Sequence, residues 1–320
     1  MHPIQSRLWR AVIRLAAFGL TLSVAACPSE TDPDAQGLDP DHFPDSSLAT
    51  AIETQPCVLT DGTSTTCYRI RITGAPTAHE VGPFCPAHIS DGANAGGLWI
   101  DGGEVYDLTG GFIEDLATFY DDDEWQLHDP ATGDIYLTET KLDCAGAAQP
   151  IYVPEALRHR CIDCLLSYVD GGMEVSYLIP TRPVPLDAPA ELLEVGDVGV
   201  SLNGVGMAAP APIEAILANY TIAAFDDCMG HVNMLAGYHY HGAGGCGVEV
   251  AQDDGHAPLI GYARDGYGIY GQLDANNAEP DDLDSCRGHS DDGRGYHYHS
   301  AGPGENLFIG CFRGAQALAF

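Results

Sequence analysis

Six histidines fall into two matched sets. Residues 226–244 read DDCMGHVNMLAGYHYHGAG and residues 284–302 read DSCRGHSDDGRGYHYHSAG. Both fit D-x-C-x-G-H-x5-G-Y-H-Y-H-x-A-G without a gap, at an offset of 58 residues. If YHYH is extended, successive side chains point to opposite faces, so His239 and His241 share one face and Tyr238 and Tyr240 the other. The same holds for His297 and His299 against Tyr296 and Tyr298. Two imidazoles on alternate residues of one strand can turn toward one ion, and His231 or His289, across a glycine-containing loop, can return to the same face as a third. Three imidazoles with an open position suit zinc or copper better than calcium, which asks for clustered oxygens. The predicted metal ligands are therefore His231, His239, His241, His289, His297 and His299. Asp226 and Asp284, with Tyr238, Tyr240, Tyr296 and Tyr298, are the expected outer groups that orient the rings or tune the site. Two geometries remain open: one ion in each copy, or one shared site where the copies face each other. A buried tyrosine–histidine network without metal is the plainest alternative, and metal-free acid–base catalysis is another.

The elements that must position these residues read as mainly β, or α+β. Segments 67–72, 97–100, 104–108, 134–139, 165–169, 173–179 and 197–203 carry short or alternating apolar runs between Gly-, Pro- and Asp-rich turns. Segments 113–120 and 212–220 are the helix candidates. Three prolines in 181–191 mark an expected boundary between a β-rich N-terminal unit, 55–185, without a functional signal, and a C-terminal unit, 190–320, that contains the internal duplication.

Residues 1–26 carry Arg7, Arg10 and Arg14 ahead of an apolar run that is too short to span a bilayer, which predicts an export signal. VAAC ends it, and Cys27 is the predicted lipidated residue of a bacterial lipoprotein, making a membrane of the cell envelope the expected partner. Residues 27–54 are expected to be that anchor and an acidic flexible tether. Beyond the leader the chain has ten basic and 46 acidic residues, a formal charge of −36, which disfavours nucleic acid and anionic surfaces. The ten cysteines after Cys27 predict disulfides, with Cys57–Cys67 the safest pair and Cys161-x-x-Cys164 structural rather than redox-active. GxSxG, HExxH and a phosphate-binding GK[ST] loop are all absent, so no catalytic residue is identifiable.

The paired D-x-C-x-G-H and YHYH motifs, DGYGIYG at 265–271 between them, and GCFRG at 310–314 resemble the YHYH domain family of exported bacterial proteins, over roughly 197–314. Gly268 stands where the family's turn often has Pro. The resemblance implies the domain and no particular reaction. Metal binding or handling is the first functional expectation. An exported metalloenzyme, hydrolytic with zinc or oxidative with copper beside the tyrosines, is the second, and a surface scaffold or adhesion module the third. No protein partner is identifiable.

Overall fold

The computed structural model describes residues 36–318 apart from 150, 194 and 195; the expected signal and Cys27 lie outside the described residues. In chain order the strands are β1 (Glu53–Val58), β2 (Ser64–Ile72), β3 (Leu98–Asp101), β4 (Glu104–Asp107), β5 (Val175–Pro180), β6 (Pro185–Glu191), β7 (Asp197–Ser201) and β8 (Gly206–Ala208). They continue with β9 (Gly230–Asn233), β10 (Gly237–Tyr240), β11 (Leu259–Ala263), β12 (Gly268–Tyr270), β13 (Gly288–Asp291), β14 (Gly295–His299) and β15 (Cys311–Gly314). The protein is mainly β, as expected, and its helices are short. The 113–120 segment forms two of them, Gly110–Glu114 and Leu116–Phe119, and 212–220 supplies Ile213–Leu217. Segment 165–169 departs from expectation: Leu166–Val169 is a 3-10 turn that closes on Asp170 at φ 56°, too tight to continue as a strand. Segment 134–139 makes only isolated bridges.

The frame of the molecule is an eight-stranded sheet of order β13-β14-β12-β11-β7-β8-β10-β9. Its halves have the same order and sense. In each, an antiparallel pair (β7–β8, β11–β12) is followed by a parallel partner (β10, β14) and an antiparallel edge strand (β9, β13). The halves meet antiparallel through β7 and β11. The equivalence reaches GVSLNGVGMAA (199–209) and GYARDGYGIYG (261–271), where Gly204 and Gly266 both take positive φ. Leu259–Ala263 is thus the counterpart of β7.

Strand alternation gives this sheet two dissimilar faces. One carries Tyr238, Tyr240, Ile269 and Tyr298 and packs into the large core. The other carries Val200, Tyr262 and Tyr270 at its middle, covered by the sheet β1-β2-β5 through Ile70, Ile72, Tyr177 and Ile179. That cover leaves the histidines at the two flanks of the same face.

Two organisational expectations need correction. The large core joins Phe84, Trp99 and Leu127 to Met207, Phe308 and Phe312, so no boundary of packing falls at 181–191. The expected tether is docked from Gln36 onward: Leu38 and Phe43 are buried, and the Asp39 amide donates to the Tyr262 hydroxyl at 3.1 Å. Leu48 and Ile52 pack beside them, and backbone bonds from Gln36 to Arg294 and from Ala49 to Arg71 fix the stretch. The disulfides are Cys57–Cys67, Cys85–Cys161, Cys144–Cys164, Cys228–Cys246 and Cys286–Cys311. The CxxC cysteines thus bind separate partners, a structural use that fits an oxidising compartment. Among the described residues no helix is long and apolar enough to cross a membrane.

Candidate metal centres

Each copy of the motif folds into one hairpin, and the hairpin explains the spacing. His231 lies opposite His239 in the β9–β10 register, and His289 lies opposite His297 in β13–β14. Cross-strand partners project to the same face, so one turn supplies the pair and the next alternate residue, His241 or His299, supplies the third ring. Gly237 and Gly295 sit at φ 73° and 64° at the end of the turns. Asn233 Oδ1 and Asp291 Oδ1 brace the same turn positions, accepting from Leu235 and Ala236 and from Gly293 and Arg294.

The six histidines form two groups, one in each half-sheet. In the first, His231, His239 and His241 bring ligand atoms within 4.8 Å of one another, with ring centroids 4.8–5.0 Å apart. In the second, His289, His297 and His299 are joined by His256 under the same limit. Five strand spacings separate β10 from β14, about 24 Å at about 4.8 Å each. The open choice of geometry is thereby resolved: the copies do not share one site.

Backbone acceptors fix the rings. Nδ1 of His239 lies 3.0 Å from the Gly237 carbonyl, and that of His241 lies 2.8 Å from Ala209. In the second group Nδ1 of His297 faces the Gly295 carbonyl at 2.9 Å, that of His299 faces Gly271 at 2.9 Å, and that of His256 faces Ala257 at 2.9 Å. A carbonyl can only accept, so each Nδ1 carries the hydrogen and each neutral ring presents its Nε2 lone pair to the centre. His289 differs in donating to a carboxylate, Asp282 Oδ1, at 2.7 Å. The Nε2 atoms of His256 and His289 both lie 3.0 Å from that of His297, and Nε2 of His299 is buried without a partner. Lone pairs so close repel unless a shared proton or a metal ion lies between them. Four nitrogens bound tetrahedrally at about 2.0–2.1 Å lie about 3.3 Å apart, so the residues present fit a transition metal ion.

The electrostatics agree with neutral ligands. Burial first, then the other imidazoles, lowers His299 to about 3, and burial first lowers His297 to about 4. Burial holds His231 and His241 well below the ordinary imidazole value, and His239 and His256 below it.

The two surroundings are not alike. The Phe225 ring stacks on His231 at 4.9 Å and meets His241 edge-on at 5.6 Å, so an aromatic wall stands beside the three-histidine centre. At the four-histidine centre, the Tyr270 ring packs on His256 and His297 at 4.8 and 5.0 Å, with the Arg294 guanidinium over the same ring, 5.8 Å from its centroid. Tyr270 belongs to the DGYGIYG turn, and its neighbour Gly271 accepts from His299.

The expected outer groups occupy the opposite face and require correction. Asp226 Oδ1 accepts from the amides of Cys228 and Gly230, while Oδ2 accepts from the Tyr238 hydroxyl at 2.7 Å. Asp284 repeats this with Cys286, Gly288 and Tyr296. These aspartates fold the tight loop before the hairpin, where Met229 and Arg287 are held at φ 62° and 65°, and none of their hydrogen bonds goes to a histidine ring. Tyr240 accepts from Asn203 Nδ2, and at the equivalent place Tyr298 donates to Asp265 Oδ2 at 2.6 Å. The tyrosines pin each hairpin to its half-sheet because alternation aims them away from the histidines. Sequence reasoning did not single out His256. The one signal for it was its place three residues before β11, with no motif around it.

A mainly β, disulfide-bonded chain with two histidine centres on one face of a two-part sheet is the class these features define. Residues 176–282 match the model of the family described as YHYH protein, so the chain carries a YHYH domain. The match runs from β5 through the first hairpin and the 265–271 turn and stops just before Asp284. Neither the curated proteins nor the solved structures gave a match.

Proposed function

We propose that this is an exported metal-binding protein that holds two transition metal ions, copper or zinc, one at His231, His239 and His241 and one at His256, His289, His297 and His299. The observation that carries the reading is the convergence of Nε2 lone pairs whose tautomers are set by carbonyl acceptors on the opposite ring nitrogen. A purely structural network would give both nitrogens of each ring their own partner. Here Nδ1 faces a backbone carbonyl at five rings and the Asp282 carboxylate at His289, which leaves Nε2 turned toward the fellow imidazoles. Imidazole ligands favour copper or zinc over calcium or magnesium.

Elemental analysis of protein purified without an affinity tag tests this. Two ions per chain are expected, falling to one in His239→Ala, to one in His297→Ala and to none in the double variant. Metal content unchanged in the double variant would overturn the proposed centres, and a wild-type protein that stays empty after supplementation would overturn metal binding.

The arginine-then-apolar leader, VAAC and the five disulfides support export, with a lipid on Cys27 tethering the mature chain to a bacterial membrane. Mass spectrometry of the mature N-terminus checks this: an acylated Cys27 is expected, and an unmodified one would leave a secreted form.

A further inference from the structure

A cavity of about 410 Å³ lies between the small sheet and the histidine-bearing face of the large one. Its wall includes Arg69 and Gln55 from the small sheet, Tyr177 from β5, and Asp197 and Arg264 from the large sheet. That volume is in the range of small-molecule sites. Arg264 is half-buried and Arg69 stands exposed at the rim. Among the described residues neither guanidinium makes a hydrogen bond or has a carboxylate within ion-pair distance, although the chain carries 46 acidic residues. Of the other arginines after residue 190, Arg287 binds Glu279, Arg294 binds Asp254 and Asp291, and Arg313 binds the Leu186 carbonyl. Asp197 shares the cavity with Arg264, and Glu53 lies opposite Arg69 in the β1–β2 register, but neither carboxylate is within ion-pair distance, so the hydrogen-bond donors of both guanidiniums stay open to an anion from outside.

The cavity also adjoins the three-histidine centre. Gly206 lies opposite His239 in the parallel β8–β10 register, and a side chain at Gly206 would run into Asp197 Oδ2 and the Tyr177 hydroxyl. The Tyr177 hydroxyl donates to Asp197. Glycine at 206 thus leaves room for a polar Tyr177–Asp197 pair between the cavity and His239.

We propose that this cavity is a binding site for a small carboxylic acid, its carboxylate held by Arg264 and Arg69. The planar fork of a guanidinium matches the two oxygens of a carboxylate, and burial between the sheets strengthens the pairing relative to a surface contact. The Tyr177–Asp197 pair places the far end of the ligand beside the first histidine centre. The site does not depend on metal at either centre.

The test is calorimetric titration of the full mature chain with sodium succinate, in metal-free and metal-supplemented protein at matched ionic strength. Succinamide is the neutral control, and inorganic phosphate separates carboxylate recognition from general oxyanion binding. Saturable succinate binding is expected in both metal states, at least about tenfold weaker in Arg264→Gln and in Arg69→Gln, and no succinamide binding. Arg69 is at the rim, so its variant keeps the fold even if Arg264→Gln does not. Absence of saturable succinate binding, equal binding of succinamide, affinity unchanged in Arg69→Gln, or phosphate binding tighter than succinate would each overturn the proposal.

Discussion

His256 is the residue that separates the two centres. Three imidazoles come from each hairpin, but only the second receives a fourth, whose Nδ1 is tied to the Ala257 carbonyl and whose Nε2 is 3.0 Å from that of His297. Four protein ligands close a tetrahedral ion, whereas three leave a position open. Loss of an outer hydrogen-bond partner commonly weakens metal sites roughly 10–100-fold, and loss of a ligand should cost at least as much. His256→Ala should therefore weaken one of two zinc affinities by that factor in a chelator-competition titration and leave the other unchanged. Both affinities intact would remove His256 from the site. On the opposite face, Asp265 is fully buried, accepts from Tyr298 and Gly314, and is raised to about 6, chiefly by burial. Its folded value exceeds the unfolded value of about 3.9, so the folded state holds the extra proton between them. The associated stability is present below pH 3.9 and is lost as pH rises through 6. Its size is on the order of 2–3 kcal/mol. Urea denaturation of metal-free protein from pH 4 to 7 should show this downward component in the wild type and not in Asp265→Asn, the residue type found at the equivalent Asn203. Parallel pH profiles would refute it.

At the scale of the hairpin, the tyrosines acquire their reason. The Tyr238 ring lies over Gly230 and the Tyr296 ring over Gly288, and a Cβ at either glycine would sit inside van der Waals contact of the phenol. The glycine before the first histidine is therefore a seat for the tyrosine two residues before its register partner on the facing strand, whose hydroxyl then reaches the aspartate that shapes the preceding loop. Gly230→Ala should destabilise the protein by about 1–3 kcal/mol in urea denaturation, because the strained contact is buried. Gly247→Ala is the control, since no atom lies within 4 Å of its Cβ and its φ is ordinary; equal effects at the two positions would contradict this packing. Much of this element was legible in sequence. Alternation in YHYH assigned the two faces correctly, and the matched spacing brought His231 and His289 back beside their pairs. The roles of Asp226 and Asp284 were not legible, because a carboxylate that orients a ring and one that caps a loop leave the same letter. His256 was hidden for a different reason: it joins its centre through tertiary packing, without a repeated neighbourhood.

The whole molecule sets the two histidine groups apart. They occupy the outer parts of one sheet, with β12, β11, β7 and β8 and the cover of β1, β2 and β5 between them. That arrangement was beyond sequence reasoning. The proline-rich 181–191 stretch suggested two units, yet β6 pairs with β15 and the core runs through both sides. An ion that binds the folded state alone adds RT ln(1 + [L]/Kd), about 2.7 kcal/mol at one hundred times Kd. Side chains about 24 Å apart without shared partners contribute nearly additively. Saturating zinc should therefore raise the unfolding free energy by about 5 kcal/mol in the wild type. It should raise it by roughly half as much in His239→Ala and in His297→Ala, and by almost nothing in the double variant. Urea titrations with and without zinc, at fixed free ion concentration, measure all four values. If either single variant lost the whole increment, the centres would be coupled through the sheet, and the independence expected from their separation would be wrong.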